Sequence, residues 1–361
     1  MSKIKKITCR PERLIFESPF ATSRQKYLSL KVVLVRIESV NGEIGWGEVR
    51  ESKTVTGETQ ESILSSIENF FSASLVGCDP LDFNEVHHRM NKQLIGNSAA
   101  KSAVDMAIHD LGGKISGLGV SSILGGGHKG PINSSKAVSA NTTDKMVKEA
   151  IEFVKDGYKT IKIKTGVDKQ SELLAIKEIR QSVGSSINIK LDANQAWTLA
   201  EARNFLSEVE KFDIEMIEQP LSADNIRGHA ELRKSISIPV MLDESIHSSR
   251  DLLNVIEMNA ADYVNIKLLK TGGLFPAKEL ASICSAAGIY CQIGSLDSSI
   301  GSAAAVNLVH SCPIFKYAEI NGPSRFKNDF ASGFQNISGQ AVLDKNVGLG
   351  IKMTLKEEHD E

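Results

Sequence analysis

Five short β-branched runs end on residues suited to acid–base or metal chemistry: Ile161-Lys162-Ile163-Lys164, Lys190-Leu191-Asp192, Ile217-Glu218, Leu242-Asp243 and Asn265-Ile266-Lys267. On a strand, side chains alternate, so Lys162 and Lys164 share one face and stand about 6.6 Å apart. At an effective dielectric near 20 their repulsion is about 2.5 kcal/mol, or roughly two pKa units. A nearby cation acts in the same direction and carboxylates act against it. The expected balance is a lysine able to serve as a base near neutral pH. Asp192, Glu218 and Asp243 would repel one another if brought together, and a divalent cation resolves that repulsion. All-oxygen ligation without Cys or His suits Mg²⁺, with Mn²⁺ as a substitute. Any one of these acids alone reads more simply as a helix cap or a lysine partner. Three of them at successive strand ends favour the metal site. A metal with a lysine on each side serves α-proton chemistry: the cation stabilises the enediolate left when the α-proton departs. One lysine removes the proton and the other returns it to the opposite face, as in a two-base racemase or epimerase. If only one lysine exchanges protons, the same site serves β-elimination or cycloisomerisation.

These residues need a scaffold that gathers strand ends. Eight β-branched runs, at Lys136–Ala140, Thr160–Lys164, Asn188–Asp192, Ile214–Glu218, Pro239–Asp243, Tyr263–Lys267, Ile289–Ile293 and Phe315–Ile320, alternate with amphipathic segments such as Lys169–Ser182 and Leu199–Lys211. The period, about 25 residues, is that of one β-loop-α-loop unit and predicts a (β/α)-type barrel. A doubly wound open sheet is the alternative, but the first strand lacks the Gly-rich phosphate turn that usually marks one. In a barrel, Lys164 and Lys267 lie opposite each other, on the second and sixth strands. Ahead of the barrel, Ile4–Phe16, Tyr27–Ser39 and Ile44–Glu48 read as strands, with Asn41-Gly42 as a hairpin turn. Helical patterns follow near residues 58–71, 82–90 and 99–111. Leu124-Gly125-Gly126-Gly127-His128 reads as a hinge. The expected division is an α+β domain over residues 1–125, a barrel over 126–322, and an irregular segment over 323–361 that packs back on the first domain.

Composition bounds the function. The chain has 361 residues, 42 basic and 44 acidic side chains and a net charge of -2, with 41% hydrophobic residues. Near-neutral charge argues against a nucleic-acid or membrane-surface protein, and no apolar run is long enough for a membrane span. The start, Met1-Ser2-Lys3-Ile4-Lys5-Lys6-Ile7, lacks the apolar core of a signal peptide. Five scattered cysteines without a C-x-x-C read as reduced thiols in a cytoplasmic protein. Oligomeric state is not readable, and a homo-oligomer stays open. No His ends a barrel strand, and the acidic tail Glu357–Glu361 reads as frayed.

The order K-x-K, D-x-N, E-Q-P, D-E-S and N-I-K-L-L-K-T-G-G resembles the enolase superfamily, in particular its muconate lactonising enzyme subgroup. Gly45-Trp46-Gly47-Glu48, Ala103-Val104-Asp105-Met106-Ala107 and Leu124-Gly125-Gly126 resemble its N-terminal capping domain. The resemblance implies a modified (β/α)₇β TIM-like barrel with an α+β capping domain that forms a lid. It implies Mg²⁺ ligation by Asp192, Glu218 and Asp243, acid–base roles for Lys164 and Lys267, and stabilisation of the bound carboxylate by Lys162. Within the subgroup, Pro19–Arg24, Thr56–Thr59 and Asn265–Gly273 resemble segments of the dipeptide epimerases. That likeness implies epimerisation of a dipeptide at the α-carbon of its C-terminal residue, such as L-Ala-L/D-Glu. It makes Arg24 the candidate for a bidentate contact with a glutamate side chain.

One departure stands out. Dipeptide epimerases usually carry D-x-D after the last barrel strand, where two acids hold the substrate ammonium group; this chain has Glu319-Ile320-Asn321. Asp297 together with Glu319 is the expected replacement, with Ser295 and Asn321 as further substrate contacts; Glu319 could instead pair with a barrel lysine. Muconate cycloisomerase, o-succinylbenzoate synthase and N-acylamino-acid racemase are the alternatives on this scaffold. A barrel that kept the fold without catalysis is disfavoured by the intact set of three acids and three lysines.

Overall fold

The structure is a computed structural model that describes residues 2–21, 26–126, 130–139, 141–344 and 347–355. The first three strands, β1 (Ile4–Ala21), β2 (Lys26–Ser39) and β3 (Ile44–Arg50), form an antiparallel meander. Gly42, at φ +94°, turns the second hairpin where Asn41-Gly42 predicts it. The helix Ser98–Ser116 lies against this sheet almost backbone to backbone. A Cβ on Gly45 would stand 2.1 Å from the Ala107 carbonyl oxygen, and one on Gly47 would stand 2.1 Å from that of Ala103. The glycines of G-W-G-E and the alanines of the facing helix are therefore one packing motif. Asp110 on that helix accepts from the Trp46 N–H at 2.9 Å, so the sheet edge is hydrogen-bonded as well as packed.

After β4 (Ile132–Asn133) come eight parallel strands: β5 (Lys136–Val138), β6 (Thr160–Lys164), β7 (Asn188–Asp192), β8 (Ile214–Glu218), β9 (Val240–Leu242), β10 (Tyr263–Ile266), β11 (Tyr290–Ser295) and β12 (Phe315–Ile320). They pair in chain order from β5 to β12. The ends meet through a parallel bridge between Ser134 and Ala318 and a 2.7 Å bond from the Ser135 N–H to the Ala318 carbonyl. This is the expected (β/α)₇β barrel, and each predicted strand is present within a few residues. Apolar residues facing outward, among them Ile161, Ile163, Leu191 and Ile217, are buried under the surrounding helices. Several of those helices start on side-chain caps. Thr198 with Glu201, and Ser248 with Asp251, form reciprocal capping boxes ahead of Leu199–Val209 and Ser249–Glu257.

The final segment is more ordered than expected. It forms β13 (Ala331–Ser332), β14 (Phe334–Ile337), β15 (Gln340–Leu343) and β16 (Lys352–Met353); β13 pairs with β16, while β15 joins β14 to β4. Hydrophobic residues at period two, Phe334, Asn336 apart, and Ala341 with Leu343, were too few to announce strands this short. The segment also touches the meander, where the Lys327 N–H donates to the Ile15 carbonyl at 2.8 Å and the rings of Phe16 and Phe326 lie 5.0 Å apart. Among the described residues no helix is long and apolar enough to cross a membrane.

Candidate active site

The parallel ladders set the site. Lys164 on β6 is registered with Asp192 on β7, and Asp192 with Glu218 on β8, so three chemically active residues share one layer at the C-terminal ends of neighbouring strands. Asp243 follows β9 and Lys267 follows β10. In the strand order, β6 and β10 are four places apart among eight, which puts Lys164 and Lys267 on opposite sides of the mouth. Asp192, Glu218 and Asp243 are all buried.

Each acid meets an ammonium group. Lys162 lies 2.6 Å from Glu319, 3.2 Å from Asp192 and 3.3 Å from Glu218. Lys164 donates to Asp192 Oδ2 at 2.6 Å and to Asn194 Oδ1 at 2.8 Å. Asp243 accepts from Lys267 through Oδ2, and from Lys270 through Oδ1 at 2.6 Å. Asn265 donates to Glu218 Oε1 at 2.8 Å.

The charges decide which forms persist. Burial alone would raise Asp192 and Asp243, but the lysines beside them outweigh it and hold both carboxyls below the usual range. Burial raises Glu218 to about 7, and the charge of Asp192 adds to the rise despite Lys162. The lysines respond to the same carboxylates. Burial would lower Lys267 and Lys162, yet their carboxylate neighbours win and hold both above the ordinary lysine value. Lys162 and Lys164 are bridged by one oxygen, Asp192 Oδ2.

The donor set fits a divalent cation. Three buried carboxylates from adjacent strand ends offer all-oxygen donors of the kind Mg²⁺ takes, and burial with the charge of Asp192 raises Glu218. Among the described residues no three acids already stand in a closed ligand cage. The lysine ammonium groups reach into the carboxylates and supply the positive charge themselves.

The specificity residues divide. Arg24 lies outside the described residues. Ser295 donates to Asp297 Oδ2 at 2.7 Å at the end of β11. Glu319 pairs with Lys162, the simpler of the two readings of that residue. Asn321 is buried in the barrel seam. Its Oδ1 accepts from Ser134 at 3.2 Å, Tyr158 at 3.1 Å and Asn336 at 3.2 Å, and its Nδ2 donates to the Ser135 carbonyl.

Several residues escaped sequence reasoning. Lys270 is fully buried on Asp243 and the Asn265 carbonyl. Lys190 lies under the site, bonded to Gln292 at 2.7 Å and 3.9 Å from the centre of the Tyr317 ring, and burial lowers it to about 7. Glu244 accepts from Asn194 at 3.1 Å. Period two does place Lys190 on the face of Asp192, and that was the available signal. Behind Lys267, Asp105 of the N-terminal part accepts from the Leu274 N–H at 2.5 Å and from His87 at 2.6 Å. A Cβ on Gly273 would stand 2.3 Å from the Asp105 carboxylate, so the G-G pair lets the first domain grip the segment after Lys267.

Comparison with known proteins agrees with this geometry. Residues 145–358 match the family described as enolase C-terminal domain-like, and residues 4–125 match the mandelate racemase / muconate lactonizing enzyme N-terminal domain. The chain is 34% identical to an L-Ala-D/L-Glu epimerase of Clostridium acetobutylicum, over 93% of this chain and 95% of that protein. It is 33% identical to an N-succinyl-L-Arg/Lys racemase of Bacillus cereus, over 96% and 95% of the two chains. The crystal structure of a dipeptide epimerase from Enterococcus faecalis, complexed with Mg and the dipeptide L-Leu-L-Tyr, superimposes with a TM-score of 0.93 at 30% identity, covering 97% of this chain and 99% of that one. With both domain matches, the barrel and the capping meander in place, the chain belongs to the mandelate racemase / muconate lactonizing enzyme branch of the enolase superfamily.

Proposed function

We propose that this isomerase epimerises a dipeptide at the α-carbon of its C-terminal residue by two-base proton transfer. The observation that carries the reading is the placement of Lys164 and Lys267 on opposing strand ends, with Asp192, Glu218 and Asp243 between them. Mg²⁺, for which Mn²⁺ substitutes, would be held by these three acids and would neutralise the substrate carboxylate and the charge of the enediolate. Lys162 faces the same carboxylate and adds a fixed positive charge. With Asp243 given over to a cation, less of its charge would hold Lys267 in the ammonium form, and Lys267 would take or return a proton at the α-carbon. Lys164 acts on the other face. Arg24 would receive the side chain of a C-terminal glutamate. Asp297 and Glu319 remain the acids nearest in kind to an ammonium-binding pair, with Ser295 orienting Asp297. All five cysteines are free, which supports a cytoplasmic setting.

A second reading is N-acylamino-acid racemisation. It draws on the pairing of Glu319 with Lys162, which leaves less free negative charge for an ammonium group, and on the occupied amide oxygen of Asn321. One assay separates the two. Loss of the α-proton signal in D₂O is followed by NMR with Mg²⁺, across a dipeptide library and a set of N-succinyl amino acids. Exchange at the C-terminal residue of dipeptides is expected. Exchange of N-succinyl substrates alone overturns the dipeptide reading.

A further inference from the structure

We infer that Glu244 is a positioning residue for Lys164, acting through the side-chain amide of Asn194; the consequence for rate rests on the two-base reading above. Lys164 reaches two acceptors, Asp192 Oδ2 at 2.6 Å and Asn194 Oδ1 at 2.8 Å. The first is a carboxylate that the proposed reaction assigns to the metal. Asn194 therefore supplies the acceptor that stays with the lysine through turnover.

An asparagine amide is ambiguous, because its two ends are nearly the same shape with opposite hydrogen-bonding sense. If reversed, the Asn194 amide would turn its NH₂ group toward the Lys164 ammonium, donor against donor. Glu244 prevents this. Its carboxylate only accepts, and Nδ2 of Asn194 donates to Glu244 Oε1 at 3.1 Å. The Asn194 backbone is held too. Its φ is +44° and that of Gln195 is +69°, a left-handed pair that asparagine tolerates better than most side chains. The Asn194 N–H donates to Asp192 Oδ1 at 3.0 Å, and the Gln195 N–H donates to the Gln219 carbonyl at 2.8 Å. The turn after β7 thus aims one amide, and Glu244, from the turn after β9, chooses which end faces the lysine. The other oxygen of Glu244, Oε2, is buried without a hydrogen-bond partner among the described residues. Among them, no second bond competes with Asn194 for this side chain.

Two-base chemistry makes the role measurable, because each epimer presents its α-hydrogen to a different lysine. In Glu244→Met the carboxylate is lost at similar length, while Glu244→Gln keeps a carbonyl oxygen that can accept from Asn194. Solvent deuterium exchange is measured separately for the two epimers of one dipeptide, with Lys164→Ala identifying the epimer that Lys164 serves. In Glu244→Met, exchange of that epimer should fall about tenfold to a hundredfold, and exchange of the other epimer less than about threefold. Glu244→Gln should recover most of the loss. Equal losses for both epimers, no loss for either, or a Mg²⁺ affinity by calorimetry weakened in step with the rate would overturn the assignment. A wild-type protein that exchanges neither epimer refutes the reaction instead. The positioning role is then decided by a crystal structure of Glu244→Met: a reversed Asn194 amide or a displaced Lys164 ammonium supports it, and an unchanged pair refutes it.

Discussion

Lys164 and Lys267 are the same side chain in unlike surroundings. Lys164 shares Asp192 with Lys162 and leans on Asn194, whereas Lys267 shares Asp243 with the buried Lys270. Each therefore has its own carboxylate and its own neighbouring cation, and the two can differ in protonation during one turnover. Replacing either by alanine should lower epimerisation by about a thousandfold or more, since general acid–base groups contribute roughly 10² to 10⁴ each and inversion needs both. The stronger expectation is asymmetric. Lys164→Ala should still exchange the α-hydrogen of the epimer that faces Lys267, and Lys267→Ala should do the reverse. Deuterium incorporation into each epimer, read by NMR, checks this. Loss of both exchanges in either variant would show that the lysines do not act on separate faces.

The elements that carry these residues were legible in the sequence because their signals are local. Thr160–Lys164, Asn188–Asp192 and Ile214–Glu218 were read with the same bounds as the structure gives, since a short β-branched run closed by a polar turn needs no distant partner. What was not legible depends on contacts between remote positions. Asn321 was expected as a substrate contact because it falls on the second acid of the D-x-D pattern of dipeptide epimerases. Its actual partners Ser134 and Ser135 are 187 and 186 residues away along the chain, across a seam that only barrel closure creates. Lys270 and Glu244 were passed over for the same reason: each acquires meaning from an acid or amide on another turn. The seam assignment has its own test. Asn321→Ala removes the acceptor of the Tyr158 hydroxyl and the donor to the Ser135 carbonyl in a buried position, and should cost about 2–4 kcal/mol of stability in urea unfolding. Its effect on KM should stay below that of Glu319→Gln, because Glu319 borders Lys162 at the mouth. A large KM change with unaltered stability would return Asn321 to the substrate.

At the scale of the molecule, the near-zero net charge conceals how charge is used where the capping part meets the barrel. Glu48, from the G-W-G-E strand, is buried against the start of the helix Ser299–Ser311, and its Oε1 accepts from the Gly301 N–H at 2.8 Å. Two more carboxylates attend that helix start: Asp297, and Asp329, which accepts from Ser299. Burial first, and then the charge of Asp297, raise Glu48 to about 8. A carboxyl raised on folding holds its proton in the native state where the unfolded chain has released it. Its contribution to stability is complete below the unfolded value of about 4.3 and is lost as pH rises through about 8. Unfolding at saturating Mg²⁺ should therefore show wild type losing about 1 kcal/mol relative to Glu48→Gln between pH 7 and 8.5. Comparison with the variant removes the parallel titrations of groups such as Lys190, which burial lowers to about 7 with the opposite effect of pH on stability. The same ionisation sets the negative charges of Glu48 and Asp297 side by side between cap and barrel, with Ser295 bonded to Asp297 at the mouth. Parallel stability curves for wild type and Glu48→Gln across that range would mean that Glu48 is already ionised at neutral pH, and that the cap–barrel contact carries an unneutralised pair of acids.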